Sequence, residues 1–240
     1  MKIIEKLAAK AKDNWNAAPV TIAFLGDSVT QGCFELYLKD DGKVETVFDK
    51  SNAYSVHLGE LLSLLYPTVP VNLINGGISG SNAVHGLSRL ERDVLCHKPD
   101  LTVVCFGLND CNGKEEKLPR YLQALEEIFA KVQESQSELI FMTPNMMCTK
   151  VSCHLKNEEE RRIAADVCRL QNEGVLTRYL EAAKELCRQK NVPVCDVYAK
   201  WQTLERSGVN VTNLLSNYIN HPTRQMNRLF ATSLWETMLG

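Results

Sequence analysis

A chain of 240 residues that is 45% apolar and 23% charged suits one large domain or two small ones, and it can bury a core without covalent staples. That composition excludes disorder, and 13 Gly and 8 Pro exclude collagen-like and low-complexity classes. With 27 basic residues against 29 acidic ones the net charge is −2; this lacks the basic excess of a nucleic-acid binder and points to a small molecule as partner.

In chain order, Lys2, Glu5, Lys6, Lys10 and Lys12 interrupt the first apolar stretch, so no run reaches the roughly 7–15 apolar residues of a signal peptide. Ile3, Ile4, Leu7 and Ala8 share one helical stripe and predict a short surface helix. The charge-free stretch 67–88 is rich in Asn, Gly and Ser, so no membrane insertion is expected. Nine cysteines without a secretory signal read as free thiols in a reducing compartment, and the expected location is cytoplasmic. The absence of any C-x₂-C pair argues against a zinc site at Cys148, Cys153 or His154; no metal and no cofactor are expected.

Five short apolar runs, at 20–25, 69–74, 101–106, 139–142 and 192–197, are continuous rather than alternating, the pattern of parallel strands covered on both faces. Helical periodicity fills 52–66, 118–134, 158–190 (with Gly174 marking a bend or break) and 223–238 behind Pro222. Alternation of this kind predicts an α/β fold with a doubly wound, five-stranded, mostly parallel sheet in a single domain. One segment departs from it. Residues 34–39 and 43–48, around Asp40-Asp41-Gly42, read as a β-hairpin inserted at about 33–50 and overhanging the first strand's loop. Its exposed edge would allow self-association into a homo-oligomer.

Ligands of such sheets bind beyond the carboxyl ends of the strands, so the loop sequences carry the chemistry. They read Gly26-Asp27-Ser28, then Asn75-Gly76-Gly77-Ile78-Ser79-Gly80, then Gly107-Leu108-Asn109-Asp110, then Thr143-Pro144-Asn145, with Asn220-His221-Pro222 before the last helix. Taken alone, Ser28 is an ordinary helix cap. Taken together, these loops supply an acyl-transfer site. Ser28 offers a hydroxyl at a helix start, His221 a general base, and Asn109 and a glycine-flanked backbone N–H an oxyanion hole. Asp27 reads as a loop brace, Glu35 as a brace or a substrate contact, and Gly77 and Asn145 as pocket residues.

Four of these blocks, Gly26-Asp27-Ser28, Asn75-Gly76-Gly77-Ile78-Ser79-Gly80, Gly107-Leu108-Asn109-Asp110 and His221-Pro222, in this order, resemble the GDSL or SGNH hydrolases. The resemblance implies a three-layer α/β/α sandwich with a flavodoxin-like sheet. It also implies Ser28 as nucleophile, His221 as base, and Ser28 N–H, Gly80 N–H and Asn109 as the oxyanion hole. One position departs from the pattern: the family places Asp three residues before the His, where this chain has Tyr218. A backbone carbonyl accepting from the ring N–H, a neutral neighbour (Asn217, Tyr218 or Asn220), or a distant carboxylate such as Asp196 are the candidate substitutes, and a dyad with a neutral orienter is the preferred expectation. The expected function is hydrolysis of a short-chain acyl ester, such as an acetyl ester, of a carbohydrate or small alcohol through an acyl-enzyme. Two alternatives accompany it. One is a flavodoxin-like nucleotide or phosphate binder using the 76–81 loop; the other is an SGNH pseudoenzyme weakened by the missing acid.

Overall fold

A computed structural model describes residues 1–240 except Asp40 and Gly42, and at Leu38 only the backbone. The chain runs α1 (Lys2–Lys12), β1 (Val20–Gly26), α2 (Ser28–Gln31), β2 (Cys33–Leu38), β3 (Val44–Phe48), α3 (Tyr54–Leu65), β4 (Val71–Gly77) and α4 (Ala83–Asp93). It continues through β5 (Leu101–Cys105), α5 (Lys114–Glu134), β6 (Glu138–Met142), α6 (Glu158–Asn172), α7 (Val175–Lys190), β7 (Val194–Cys195), α8 (Val197–Arg206) and α9 (Arg224–Leu239).

The main sheet has the order β4-β1-β5-β6-β7 with every neighbouring pair parallel. Counting only its own strands this is 2-1-3-4-5, the flavodoxin-like winding. Helices α3 and α9 pack together on one face, and α4, α5 and α7 form the layer on the other, so the three-layer sandwich stands. The strands β1 and β5, flanked on both sides, are almost wholly buried. The expectation of cover on both faces fails at β4, whose Asn72 and Asn75 are exposed and whose Val71, Leu73 and Ile74 are half-buried; it is the sheet's edge. At the opposite edge the predicted run 192–197 shrinks to two residues. Pro193 has no N–H to give to a ladder, and the Asp196 carboxylate instead accepts from the Ala199 N–H as the cap of α8.

The long helical stretch breaks rather than bends: Gly174 takes φ +72°, ending α6 and starting α7. Helices α4 and α8 lie outside the predicted helical stretches, although α8 buries Val197, Tyr198 and Trp201. The buried residues of α4 are Ala83, Gly86, Arg89 and Leu90, small or charged rather than a hydrophobic stripe.

The hairpin exists as an antiparallel β2–β3 pair separate from the main sheet; its Asp40 and Gly42 turn positions lie outside the described residues. Between Cys33↔Phe48 and Leu36↔Thr46 the register shifts, so Phe34 and Glu35 stand opposite one residue, Val47. Such a bulge releases ladder groups to bond elsewhere. Among the described residues no helix is long and apolar enough to cross a membrane, and all nine cysteines are free thiols.

Candidate active site

Ser28 is the first residue of α2, directly beyond the carboxyl end of β1. The Asp27 carboxylate accepts from Val29 N–H at 3.0 Å, and Gly32, at φ +87°, ends the helix after a single turn. This short helix sits close against β4: a Cβ on Gly77 would lie 2.4 Å from the Gln31 nitrogen and 2.7 Å from the Thr30 carbonyl carbon. Gly77 is therefore required by the backbone approach that seats Ser28.

His221 arrives on a tight loop between α8 and α9. Leu215 and Pro222 form an isolated antiparallel bridge, and Ser216 N–H donates to the His221 carbonyl at 2.7 Å. Inside the loop the Asn217 amide oxygen accepts from three backbone N–H groups, Ile219 at 3.0 Å, Asn220 at 2.9 Å and His221 at 3.0 Å. Tyr218 takes φ +56° and stacks on His154. Asn145, fully buried, donates to the Asn220 carbonyl at 2.9 Å; it pins this loop to the end of β6 instead of facing a pocket.

The imidazole bridges two groups. Nε2 lies 2.9 Å from Ser28 Oγ, and Nδ1 lies 2.9 Å from the Phe34 carbonyl oxygen. A carbonyl only accepts, so Nδ1 carries the proton and Nε2 presents its lone pair to the serine hydroxyl. The orienter is thus the backbone carbonyl freed by the β2 bulge. The side-chain candidates do not reach the ring: Asn217 holds the loop's main chain, Tyr218 faces His154, and Asn220 pairs with Asn217. Asp196 is committed to Thr143, Lys184 and the α8 N-terminus. Burial lowers the His221 pKa below its ordinary 6.5, partly offset by the Phe34 carbonyl and the negative charge of Glu35. Cys33 Sγ sits 3.6 Å from Nδ1, but burial pushes its thiol up to about 12, so it is a protonated wall and not a nucleophile.

Arg224, three residues after His221, holds the hairpin in place. Its guanidinium pairs with both Glu35 oxygens at 2.6 and 3.1 Å and with Asp49 at 2.7 Å, and it lies 4.4 Å above the Phe34 ring. Glu35 is accordingly a brace. The single-sequence reading missed Arg224, because its partners lie 175 and 189 residues away.

The remaining loops are cross-tied. Asn109 donates to the Ser81 carbonyl at 2.8 Å, which leaves its second amide hydrogen for another acceptor. Asp110 accepts from Ala83 N–H at 2.9 Å and Gly107 N–H at 3.0 Å. Arg89 reaches the carbonyls of Gly76 and Gly26 and the Ser81 hydroxyl. Gly80 is exposed at φ +76° with open space where a side chain would be. Of the five N–H groups from Gly77 to Ser81, four are spent inside the protein, on Asn75, Gly26, Gln31 and Ile78. A phosphate cradle needs several such donors pointing at the ligand, so the geometry disfavours the nucleotide-binding alternative.

Comparison with known proteins agrees with this arrangement: the model of the GDSL-like lipase/acylhydrolase family matches residues 24–229. The chain belongs to the GDSL-like lipase/acylhydrolase family. An acetylxylan esterase of Geobacillus stearothermophilus is 26% identical over 132 residues, a match spanning 51% of this chain and 58% of that relative. The crystal structure of an acetylxylan esterase from the same organism superposes with a TM-score of 0.66 at 18% identity, covering 91% of this chain and 94% of that one. A two-domain esterase active on acetylated mannans gives 0.66 at 18% identity, covering 98% of this chain and 52% of that one.

Two predictions concern how this GDSL-like site is held. Burial pushes the Asp27 carboxyl up to about 7 from 3.8. The folded chain therefore keeps a proton that the unfolded chain has lost, and stability falls as pH rises from about 3.8 through 7. Asp27→Asn, whose amide oxygen can still accept from Val29 N–H, should stabilise the fold at pH 8 by between about 1 and 4 kcal/mol and have little effect at pH 4. Urea unfolding at the two pH values reads this out, and an equal change at both would refute it. Arg224→Gln should lower kcat by about 10- to 100-fold through misplacement of the imidazole, with a smaller change in KM; unchanged kcat in a folded variant would show that the hairpin holds its carbonyl unaided.

Proposed function

We propose that this chain is a serine-dependent ester hydrolase working through an acyl-enzyme. The observation that carries the reading is the 2.9 Å contact of His221 Nε2 with Ser28 Oγ in the one tautomer that can accept the serine proton. On this reading Ser28 attacks the ester carbonyl as His221 takes its proton. The Ser28 N–H, which as first residue of α2 has no partner within that helix, holds the developing oxyanion together with Gly80 N–H and the Asn109 amide. His221 then protonates the departing alcohol, and water releases the acid by the reverse sequence.

The missing acid does not argue for a pseudoenzyme. Replacing Asp by Asn in a Ser-His-Asp enzyme costs about 10⁴ in rate chiefly because the imidazole adopts the wrong tautomer. The Phe34 carbonyl imposes the right one. What it lacks is negative charge to stabilise the imidazolium, and Glu35, near enough to raise the imidazole's proton affinity, supplies part of that. The named relatives act on acetylated xylan and acetylated mannans, which supports a short acyl group, acetyl among them, on a carbohydrate or a small alcohol.

Ser28→Ala should reduce hydrolysis of p-nitrophenyl acetate by more than about 10³-fold without lowering the melting temperature, and a fluorophosphonate should label the native chain at Ser28 alone. Labelling elsewhere, or full activity in the variant, would overturn the assignment. In the same assay kcat/KM should fall as pH drops, with an inflection below 6.5, because the buried imidazole must be neutral to act as base. An inflection above 6.5 would mean that another group is titrating.

A further inference from the structure

Between the hairpin, the His221 loop and helix α6 lies a cavity of about 350 Å³ with apolar walls. They comprise Leu36 and Val44 from the hairpin, Ile163, Val167 and Leu170 from successive turns of α6, and Ile219. Val44 is 57% exposed and Ile163 40%. A single exposed aliphatic side chain is unremarked on a protein surface, whereas several converging on one concavity mark a place where an apolar group binds. Ser28 and His221 are not in its walls, but three stretches of the wall lie next in the chain to residues of the site. Ile219 and Asn220 lead directly into His221, Leu36 follows two residues after Phe34, and Asn112 three after Asn109. At 3.8 Å between consecutive Cα atoms, each lies within a few residues' reach of the imidazole or of the oxyanion loop. A second cavity, of about 320 Å³, shares Asn112 with the first and is polar, with Asn109, Asn82, His85, Lys117 and Arg120 in its walls.

We propose that the apolar cavity is the subsite for the alcohol half of the ester, and that this alcohol is a neutral alkyl or aryl alcohol. The inference rests on the ester-hydrolase reading and narrows its substrate: of a carbohydrate and a small apolar alcohol, the cavity fits the second. Asn112, Asn217 and Asn220 also line the space, but its walls are mainly aliphatic, so a sugar ring seated there would turn most of its hydroxyls toward Leu, Ile and Val side chains that offer no hydrogen bonds, losing the water they give up. At about 30 Å³ per water-sized group, the space holds on the order of ten heavy atoms. The alcohol is the half that enters because its oxygen must leave within reach of His221 Nε2, and the two residues preceding His221 form the cavity wall. Glu160 and Asp166 also border the space, so a neutral alcohol is favoured over an anionic one.

The test uses the full chain and two ester series. With acetyl fixed, kcat/KM of the native enzyme should rise about two- to fourfold per methylene from ethyl to hexyl acetate, while lengthening the acyl group of ethyl esters should not raise it. Ile163→Asp, at a half-exposed position, should flatten the alcohol series. In Ser28→Ala, which cannot turn over, methyl NMR signals of Ile163 and Val167 should shift on titration with hexyl acetate, and binding should tighten along the same series. A series flat in alcohol length, a response to acyl length instead, or a preference for acetylated xylo-oligosaccharide over hexyl acetate would overturn the proposal. Tightening in Ser28→Ala with no turnover of any ester by the native chain would uphold the apolar subsite and remove the hydrolase reading, so the two failures are distinct.

Discussion

The imidazole of His221 is held at both ends, by the Ser28 hydroxyl at Nε2 and by the Phe34 carbonyl at Nδ1, and much of the surrounding structure serves those two bonds. A neutral imidazole has one N–H, and giving it to an acceptor-only group decides which nitrogen faces the nucleophile. To present that carbonyl, β2 breaks its pairing with β3 at a bulge, and Arg224 ties the strand to the helix that follows the histidine. To present the ring, Asn217 gathers three consecutive N–H groups under the loop. A side-chain carboxylate would do the tautomer's work and stabilise the imidazolium at once. Here the two tasks are divided between a carbonyl and a nearby ion pair.

The rest of the site depends on buried polar cross-ties at the carboxyl edge of the sheet. Arg89 joins the ends of β1 and β4, and Asp110 joins the loops that carry Asn109 and Ser81. These bonds are made where water is excluded, so each is strong, and each leaves a charge that burial penalises. Asp27 and Asp110 show the penalty directly: their carboxyls are pushed up to about 7 and about 6, burial being the largest cause in both. Loops fixed by such groups are rigid at some expense to global stability, which suits a site whose donors must be in place before charge develops.

What the sequence made legible follows the physics of each element. The central strands β1, β5 and β6 are readable because burial on both faces demands continuous apolar runs; the edge strands β4 and β7 are present too, but the cover of β4 and the length of β7 depart from expectation because an edge strand relaxes that demand. Ser28, Asn109, Gly80 and His221 stand out as candidates because the proposed chemistry constrains the residue type at each place. The orienter was open between a carbonyl and several side chains because every residue carries a carbonyl, so position 34 bears no mark of its role. Asn145 and Gly77 were read as pocket residues since their loops face the site, yet one anchors a neighbouring loop and the other permits a backbone contact. Arg224 was invisible because its partners are distant in the chain, and an ion pair of that kind has no local pattern.

The hairpin's position has a further mechanical consequence. Along the bulged part of β2, Phe34 is buried beneath Arg224, Glu35 pairs with the same guanidinium, and Leu36 turns into the apolar cavity. The carbonyl that orients the base and a wall of the proposed alcohol subsite therefore lie two residues apart on one short strand, outside the main sheet and tied by the Arg224 guanidinium. Such a strand, belonging to a two-stranded ribbon, is held far less tightly than β1 or β5. An occupant packed against Leu36 adds contacts to its least supported side and thereby restricts the carbonyl's motion as well. Under the proposed assignment, binding of the alcohol and alignment of the base draw on the same rigidity, so that substrates filling the cavity gain in kcat as well as in affinity.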